Sequence, residues 1–448
     1  MKNIKIFILI AVIFSIVACA SIDDLQIVEG HVKAGQYEQA LFHVEENKDI
    51  LYDSKDKVLY FLDTGLLFHY NGDYEKSVTV LTEAEKLMYE YFSKSITQAL
   101  GTYLVNDKVT DYAGEDFEDI YINIFNALNY INNDNIESAF VEIRRFDNKQ
   151  KELQVKYAKS IDSAREQAAK HGSQYTSDLS SEFHNSAMAR YLSMLLYRSE
   201  GKLDSATIDK KMIVRAFNDQ KNIYTFSMPQ NLDEEFNIPE GKARINFVSF
   251  SGISPEKIEE VVRIPYSDIN NNLNYMQIAF PKMQKRSSDV AGVRVTLKKN
   301  IMPTLAPEVV SRAYLAPIES IENIALDTFA RKQPLIYFRA IVRGLTKTAT
   351  SEGMDVAGQN IGGSVGLALS VFSFFNDLSN KLTERADTRV ARYFPAIASV
   401  GGINVEPGIY DVFFEYVNNS GVVISSETKT NFEIKKGKLN LVESICLK

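Results

Sequence analysis

One short pattern recurs four times in the first half of this chain, and it limits the fold more than any other feature. Ala34-Gly35-Gln36-Tyr37-Glu38-Gln39-Ala40-Leu41 is echoed by Asn71-Gly72-Asp73-Tyr74-Glu75-Lys76-Ser77-Val78 and by Asn133-Asp134-Asn135-Ile136-Glu137-Ser138-Ala139-Phe140. It returns as Glu200-Gly201-Lys202-Leu203-Asp204-Ser205-Ala206. In each copy a turn residue is followed by an apolar side chain and then by a small one. The small residue (Ala40, Ser77, Ala139, Ala206) lets the second helix of a hairpin pack closely on the first. Such hairpins cannot bury their apolar faces alone, so they stack.

With Gly65, Phe68, Ser77, Leu81 and Ala84 in the second copy, and Ala127, Tyr130, Ala139, Ile143 and Phe146 in the third, the hairpins read as tetratricopeptide-like repeats. The small residues are separated by 37, 62 and 67 positions, not by a steady 34, so helix is inserted between copies. One insert is Lys149 to Gln174, with Leu153, Tyr157, Ile161 and Ala164 at helical spacing. Buried small residues at Ala40, Ala139 and Ala206 should govern stability. Polar and aromatic side chains on the first helices (Tyr60, Asp63, His69 and Asn123) are expected to face a groove that holds a partner.

From about Gly241 the period changes. Ala243 to Phe250, Ile258 to Pro265, Tyr275 to Phe280 and Val290 to Leu297 are short runs rich in Val, Ile, Phe and Tyr. After Pro307 the chain reads as helix again, through Ile318–Phe329 and Ile336–Ala349, and strands resume at Ile403–Val405 and Ile409–Val417. Asn418-Asn419-Ser420-Gly421 marks a turn into Val422–Ile424, and a last hairpin is expected to pair Thr430–Ile434 with Leu439–Val442. The expected fold class is α+β. Tetratricopeptide-like helical repeats over 27–235 precede a β-sandwich-like region over 241–448, with a helical insert at 308–385. Both strand groups are expected to share it, because the final strands alone would have a thin core.

Lys2 and Lys5 precede an almost unbroken apolar stretch, Ile6 to Val17, too short for a membrane span. Ile16-Val17-Ala18-Cys19 then resembles the bacterial lipobox, which implies a signal peptide at 1–18, cleavage before Cys19 and acylation of its thiol. Residues 19–26 would be a lipidated tether. Ala20 is not the Asp that retains such proteins at the inner membrane, so a cell-envelope protein on the outer membrane, facing the periplasm, is expected. Lys plus Arg number 50 against 58 Asp plus Glu, a net −8 that argues against nucleic acid and against polybasic membrane binding. The only other cysteine, Cys446, has no partner once Cys19 is acylated.

No catalytic residue, cofactor or metal site is expected. Gly362-Gly363-Ser364-Val365-Gly366 matches G-x-S-x-G, but the last histidine is His184, so no base follows it. The five histidines (31, 43, 69, 171, 184) lack paired metal spacing, and there is no phosphate loop. Glu115, Asp116 and Glu118 form an acidic cluster that suits glycan cleavage, yet it also opens the helix Phe117–Ile131, where carboxylates complement the helix dipole. Ala357–Phe375 is the most apolar stretch of the mature chain, but its uninterrupted part is eleven residues, which favours a buried helix over a span.

Tyr112–Glu118, with Ala127–Tyr130, Glu142–Arg145, Arg385–Arg389, Pro395 and Pro407–Tyr410, resembles a family of bacterial tetratricopeptide-containing envelope lipoproteins. The family tends to show tryptophan after its Ala-Asp-x-Arg motif, where Ala391 stands here. Membership implies a lipid-anchored envelope protein, associated by gene neighbourhood with lipoproteins that activate cell-wall synthases; it supplies no reaction. Asp387 with Arg385 and Arg389 is a candidate contact site, or else an ion pair fixing the helix-to-strand junction. The expected function is therefore a protein–protein interaction scaffold, with a peptidoglycan hydrolase or an export-pore accessory as alternatives.

Overall fold

The computed structural model describes residues 24–99, 110–153, 155–156, 158, 162, 165–166, 182–267, 273–299, 308–351 and 386–448. The expected signal peptide and Cys19 lie outside these residues, as do Arg385, Gly362–Gly366, Ala357–Phe375 and most of 149–174.

Helices fill the first half: α1 (24–33), α2 (Tyr37–Glu46), α3 (Lys48–Leu51), α4 (Lys57–Tyr70), α5 (Tyr74–Ala99), α6 (Asp116–Asn132), α7 (Ile136–Leu153), α8 (Ala187–Ser199) and α9 (Leu203–Asp219). The four recurring turns share one geometry. Gly35, Gly72, Asp134 and Gly201 occupy the same place, each with φ between 55° and 83°. In every copy that residue's N–H bonds the carbonyl three residues back, and the next N–H bonds the carbonyl five back, as in Gly72 to His69 and Asp73 to Phe68. This left-handed closure satisfies the orphan carbonyls of the first helix. Asp134 adopts it without glycine because a short polar side chain tolerates the left-handed region.

The small residue then donates the first bond of the second helix in all four copies: Ala40 to Gln36, Ser77 to Asp73, Ala139 to Asn135, Ala206 to Lys202. All four are fully buried. At α4–α5 the fit is closest: Ser77 Oγ donates to the Gly65 carbonyl at 2.8 Å, and a Cβ on Gly65 would lie 2.6 Å from Leu81 Cδ2.

The second half holds β1 (Ala243–Ile253), β2 (Glu256–Ser267), β3 (Leu273–Gln284), β4 (Gly292–Lys299), β5 (Glu308–Ser320), α10 (Ile321–Ser351), β6 (Pro395–Val405), β7 (Gly408–Val417), β8 (Val423–Ile434) and β9 (Asn440–Cys446). Seven strands form one sheet in the order β8-β7-β4-β5-β6-β1-β9, so both strand groups are shared. All its pairings are antiparallel except β1–β9. The sheet nearly closes on itself, because Ser444 Oγ at one edge donates to Glu427 at the other at 2.6 Å. Ile245, Phe247, Val295, Leu297, Val412 and Phe414 fill its interior. β2 and β3 pair only with each other and lean on α10 through Phe280 and Tyr337, whose rings are 4.2 Å apart.

The protein is thus a mixed helix-and-sheet fold, and three strand details differ from expectation. Glu308–Ser320 is a strand, not the start of a helical insert. Helix begins only at Ile321, where Ser320 Oγ accepts the Asn323 N–H at 3.1 Å and caps it. Leu439–Val442 does not pair with Thr430–Ile434 as a hairpin. Asn440 bonds both the turn (Lys435 N and O) and the Arg244 carbonyl, which steers β9 to the far edge beside β1. One curled sheet surrounds this core where two stacked sheets were expected, since cross-edge contacts bend it round.

Filling a packed hairpin seam should strain it. Ala139→Leu is expected to lower stability by about 1–3 kcal/mol in urea unfolding, because it adds bulk at a fully buried helix contact; an unchanged midpoint would mean that the seam is loose.

Candidate functional site

A group of buried, interacting charges lies where residues 386–394, leading into β6, thread between the helices and the sheet. Asp63 of α4 is fully buried. Its carboxylate accepts the Arg392 N–H at 2.8 Å, the Arg392 guanidinium at 3.1 Å and the Tyr52 hydroxyl at 3.0 Å. The guanidinium also sits 4.8 Å above the Tyr52 ring, a cation–π contact. Burial pushes the Asp63 carboxyl up from its ordinary value, opposed by Arg392.

Asp387 grips Arg389 through two bonds of 2.9 Å, and Arg389 reaches on to Asp56 and the Thr110 carbonyl, each at 3.1 Å. Burial works to raise Asp387, but Lys257 and Arg389 together outweigh it and hold the carboxyl below its usual range. Asp387 and Arg389 thus form an ion pair in the run that leads into β6.

The acidic cluster completes the seam from the N-terminus of α6. Glu118 is buried and accepts from the Tyr112 hydroxyl at 2.8 Å, the Glu115 N–H at 2.7 Å and the Ala391 N–H at 2.6 Å. The bond to Glu115 N–H folds the side chain back over the helix start, as one half of a capping box. Burial, and secondly the charge of Glu115, push the Glu118 carboxyl up to about 7. Glu115 pairs with Lys257 of β2 at 2.8 Å and closely with Lys332 of α10, while Asp116 holds Lys156 at 2.7 Å. Four separate stretches of chain, at Lys156, Lys257, Lys332 and Ala391, are pinned to the start of α6.

The remaining expected site residues lie elsewhere. His69 Nδ1 meets Asn129 Oδ1 at 2.7 Å and Nε2 meets Glu443 of β9 at 2.8 Å, in full burial. Asn123 donates to Glu142 at 2.7 Å and to Glu85 at 3.3 Å, also buried. Tyr60 donates to Glu45 at 2.6 Å under Lys48, whose Nζ is 3.8 Å from the ring centre. So Asp387 and Arg389 pair with each other, Asp63 pairs with Arg392 in the same run of chain, Tyr60 touches the Tyr52 ring that holds Asp63, and His69 and Asn123 lie in separate networks. Asp63, His69 and Asn123 face no open groove. Helices α5 and α7 enclose Asn123 through Glu85 and Glu142, and the strand half occupies the rest of that side: Tyr70 bonds the Tyr393 carbonyl ahead of β6 at 2.7 Å, the Phe125 and Phe250 rings are 5.2 Å apart, and Tyr191 accepts from Asn246 at 3.1 Å.

One hub left no sequence signal. Glu319, at the end of β5, is fully buried. It accepts from the Ser186 hydroxyl at 2.8 Å, the Tyr224 hydroxyl at 2.8 Å, the Met188 N–H at 3.1 Å and, closely, the Tyr121 hydroxyl. A second centres on Glu235, which pairs closely with Arg198 and takes Arg244 Nε at 2.8 Å.

Among the described residues no cluster of His, Cys, Asp and Glu is arranged to hold a metal ion, and no helix is long and apolar enough to cross a membrane. An open cleft of about 360 Å³ does lie on the first hairpin, lined by His31, Glu38, Gln39, Phe42 and His43. No protein-family model, curated protein or solved structure matches the chain.

Two outcomes follow from the seam. Asp63→Ala should cost about 3–5 kcal/mol in urea unfolding, and adding Arg392→Met should restore a large part of it, because a lone buried charge is worse than none. Glu118 carries a raised folded-state value, so its contribution is complete below the unfolded carboxyl range and is lost as pH rises through about 7. Wild-type stability should therefore fall between pH 5 and 8 by up to about 3 kcal/mol from this group, and Glu118→Gln should flatten that slope; equal slopes in both proteins would contradict the assignment.

Proposed function

We propose that this chain is an exported envelope lipoprotein, acylated at Cys19 and held on the outer membrane facing the periplasm, that acts as a protein–protein interaction scaffold in cell-wall or outer-membrane assembly. Its four hairpins are taken as tetratricopeptide-like repeats. The observation that carries the reading is a repeated exposed position. Two residues after the buried small residue, Val141 and Ile208 stand 42% and 60% open to solvent, on second helices that the sheet leaves uncovered. Large apolar side chains held at the same place in successive repeats offer a partner protein an apolar contact surface. The proposed docking side is thus the outer one.

A peptidoglycan hydrolase has less support, since Glu115, Asp116 and Glu118 are buried and bound to lysines, a tyrosine and backbone N–H groups. The export-pore reading depends on Ala357–Phe375, which is outside the described residues.

The test is photo-crosslinking in cells from Val141 and Ile208, with Glu433 on the sheet as control, in wild-type and Cys19→Ala backgrounds. Envelope proteins captured at 141 and 208, not at 433, with the Cys19→Ala chain released from the membrane pellet, are expected. Capture only from the sheet would move the function to the other half, and full retention of Cys19→Ala in the pellet would remove the lipid anchor.

A further inference from the structure

We infer that the outer face of the first hairpin, around Phe42 and Ile27, lies against the lipid surface, so that the protein touches the bilayer with its fold as well as with its acyl chains. The inference rests on the anchoring proposed above, and begins from where the chain enters the fold. Asp24, the first described residue, is tied to α2 by its carboxylate, which meets His43 Nε2 at 3.1 Å. That bond holds the entry point next to Phe42. Only five residue steps separate Asp24 from Cys19, and a fully extended chain covers about 3.3–3.6 Å per residue, so the acylated cysteine can stand no farther than about 18 Å from Asp24. Whatever borders Asp24 is therefore close to the membrane.

What borders it is apolar and uncovered. Phe42 is 68% exposed and Ile27 is 45% exposed, although both sit on regular helix in a protein with ample core. Asp24, Ile27 and His31 share a face of α1 by helical spacing, and His31 and Phe42 line the cleft between α1 and α2. Among the described residues this hairpin is the end of the stack. Terminal repeats ordinarily present a polar outer face. Phe42 also occupies the repeat position of Val141 and Ile208, but of the three it alone stands beside the tether.

The charges specify how the contact is made. Asp24 and Glu38 border the patch, while Lys33, the one lysine of α1, lies on another face with Glu29, which engages it at 2.8 Å. Attraction to anionic headgroups is thereby excluded as the driving term, and insertion of Phe42 and Ile27 at the headgroup–acyl boundary remains. The contact should form on uncharged phosphatidylcholine and persist at high salt.

The chain contains no tryptophan, so Phe42→Trp makes a single-tryptophan reporter at an exposed position. The full acylated protein would be reconstituted in phosphatidylcholine vesicles with and without bromine on the acyl chains, beside an Ile208→Trp control. An apolar face that enters the boundary region by about 5–10 Å brings the indole to the bromines, so roughly twofold quenching is expected for Phe42→Trp and none for Ile208→Trp. Protein that floats with the vesicles but is quenched at neither position, or equally at both, overturns the contact and leaves the anchor standing. Protein that does not float overturns the anchor, and the contact with it.

Discussion

Strand β1 is the element on which the two halves of this protein depend. All eleven of its residues are buried, because it has a neighbouring strand on each edge and a packed layer on each face. Alternate side chains go opposite ways: Ile245 and Phe247 fill the interior of the curled sheet, while Val248 and Phe250 enter the core shared with the helices. A strand's side-chain period is two, so a slip of one residue would exchange these sets and expose both cores to mismatch. Fixing β1 fixes its neighbours. β9, parallel to it, delivers Glu443 to His69, and β6, antiparallel to it, draws residues 386–394 across Asp63 and Glu118.

Apolar burial alone would not choose that arrangement. The shared core contains Phe117, Phe125, Phe250 and Phe394 in edge-to-face and tilted contacts, and such burial is strong but not directional. The polar contacts across the junction are the directional ones. Asp63 with Arg392, Glu118 with Ala391, His69 with Glu443, Glu319 with Ser186 and Arg198 with Asn246 each join a helix, or the cap of one, to the strand half. Against well-packed apolar residues a buried ion pair is near break-even, whereas breaking one costs several kcal/mol. We read these pairs as setting the register of helices on sheet, with the apolar core supplying most of the stability.

The sequence made the local parts of this design legible and hid the distant ones. Each hairpin turn is written within eight residues, so its left-handed turn residue and buried small residue could be placed from Asn-Gly, Glu-Gly and even Asn-Asp. Glu308–Ser320 misled because Pro307 breaks either kind of element and the cap that starts the helix, Ser320 on Asn323, lies thirteen residues later. The parallel course of β9 depends on Asn440 reaching Arg244, nearly two hundred positions away. Asp63, His69 and Asn123 were recognisable as polar residues on first helices, but a helix pattern cannot say whether water or a distant part of the chain covers them. Glu319 reads as an ordinary charged residue, and only the folded chain surrounds it with Tyr121, Ser186 and Tyr224.

That covering has a consequence for how a repeat protein of this build can work. Stacked hairpins usually offer their inner helices to a ligand, and here His69, Tyr70, Phe125 and Tyr191 on those helices are engaged by the chain's own strands. A partner of the scaffold proposed here would have to displace a sheet whose junction holds several buried charge contacts, each costly to leave unpaired. The uncovered second helices present no such barrier. Their exposed apolar side chains are thermodynamically unsatisfied in the isolated chain, so association on that side gains burial without first breaking the fold. The strand half occupies the inner face, so the scaffold proposed above would meet its partner on the outer one.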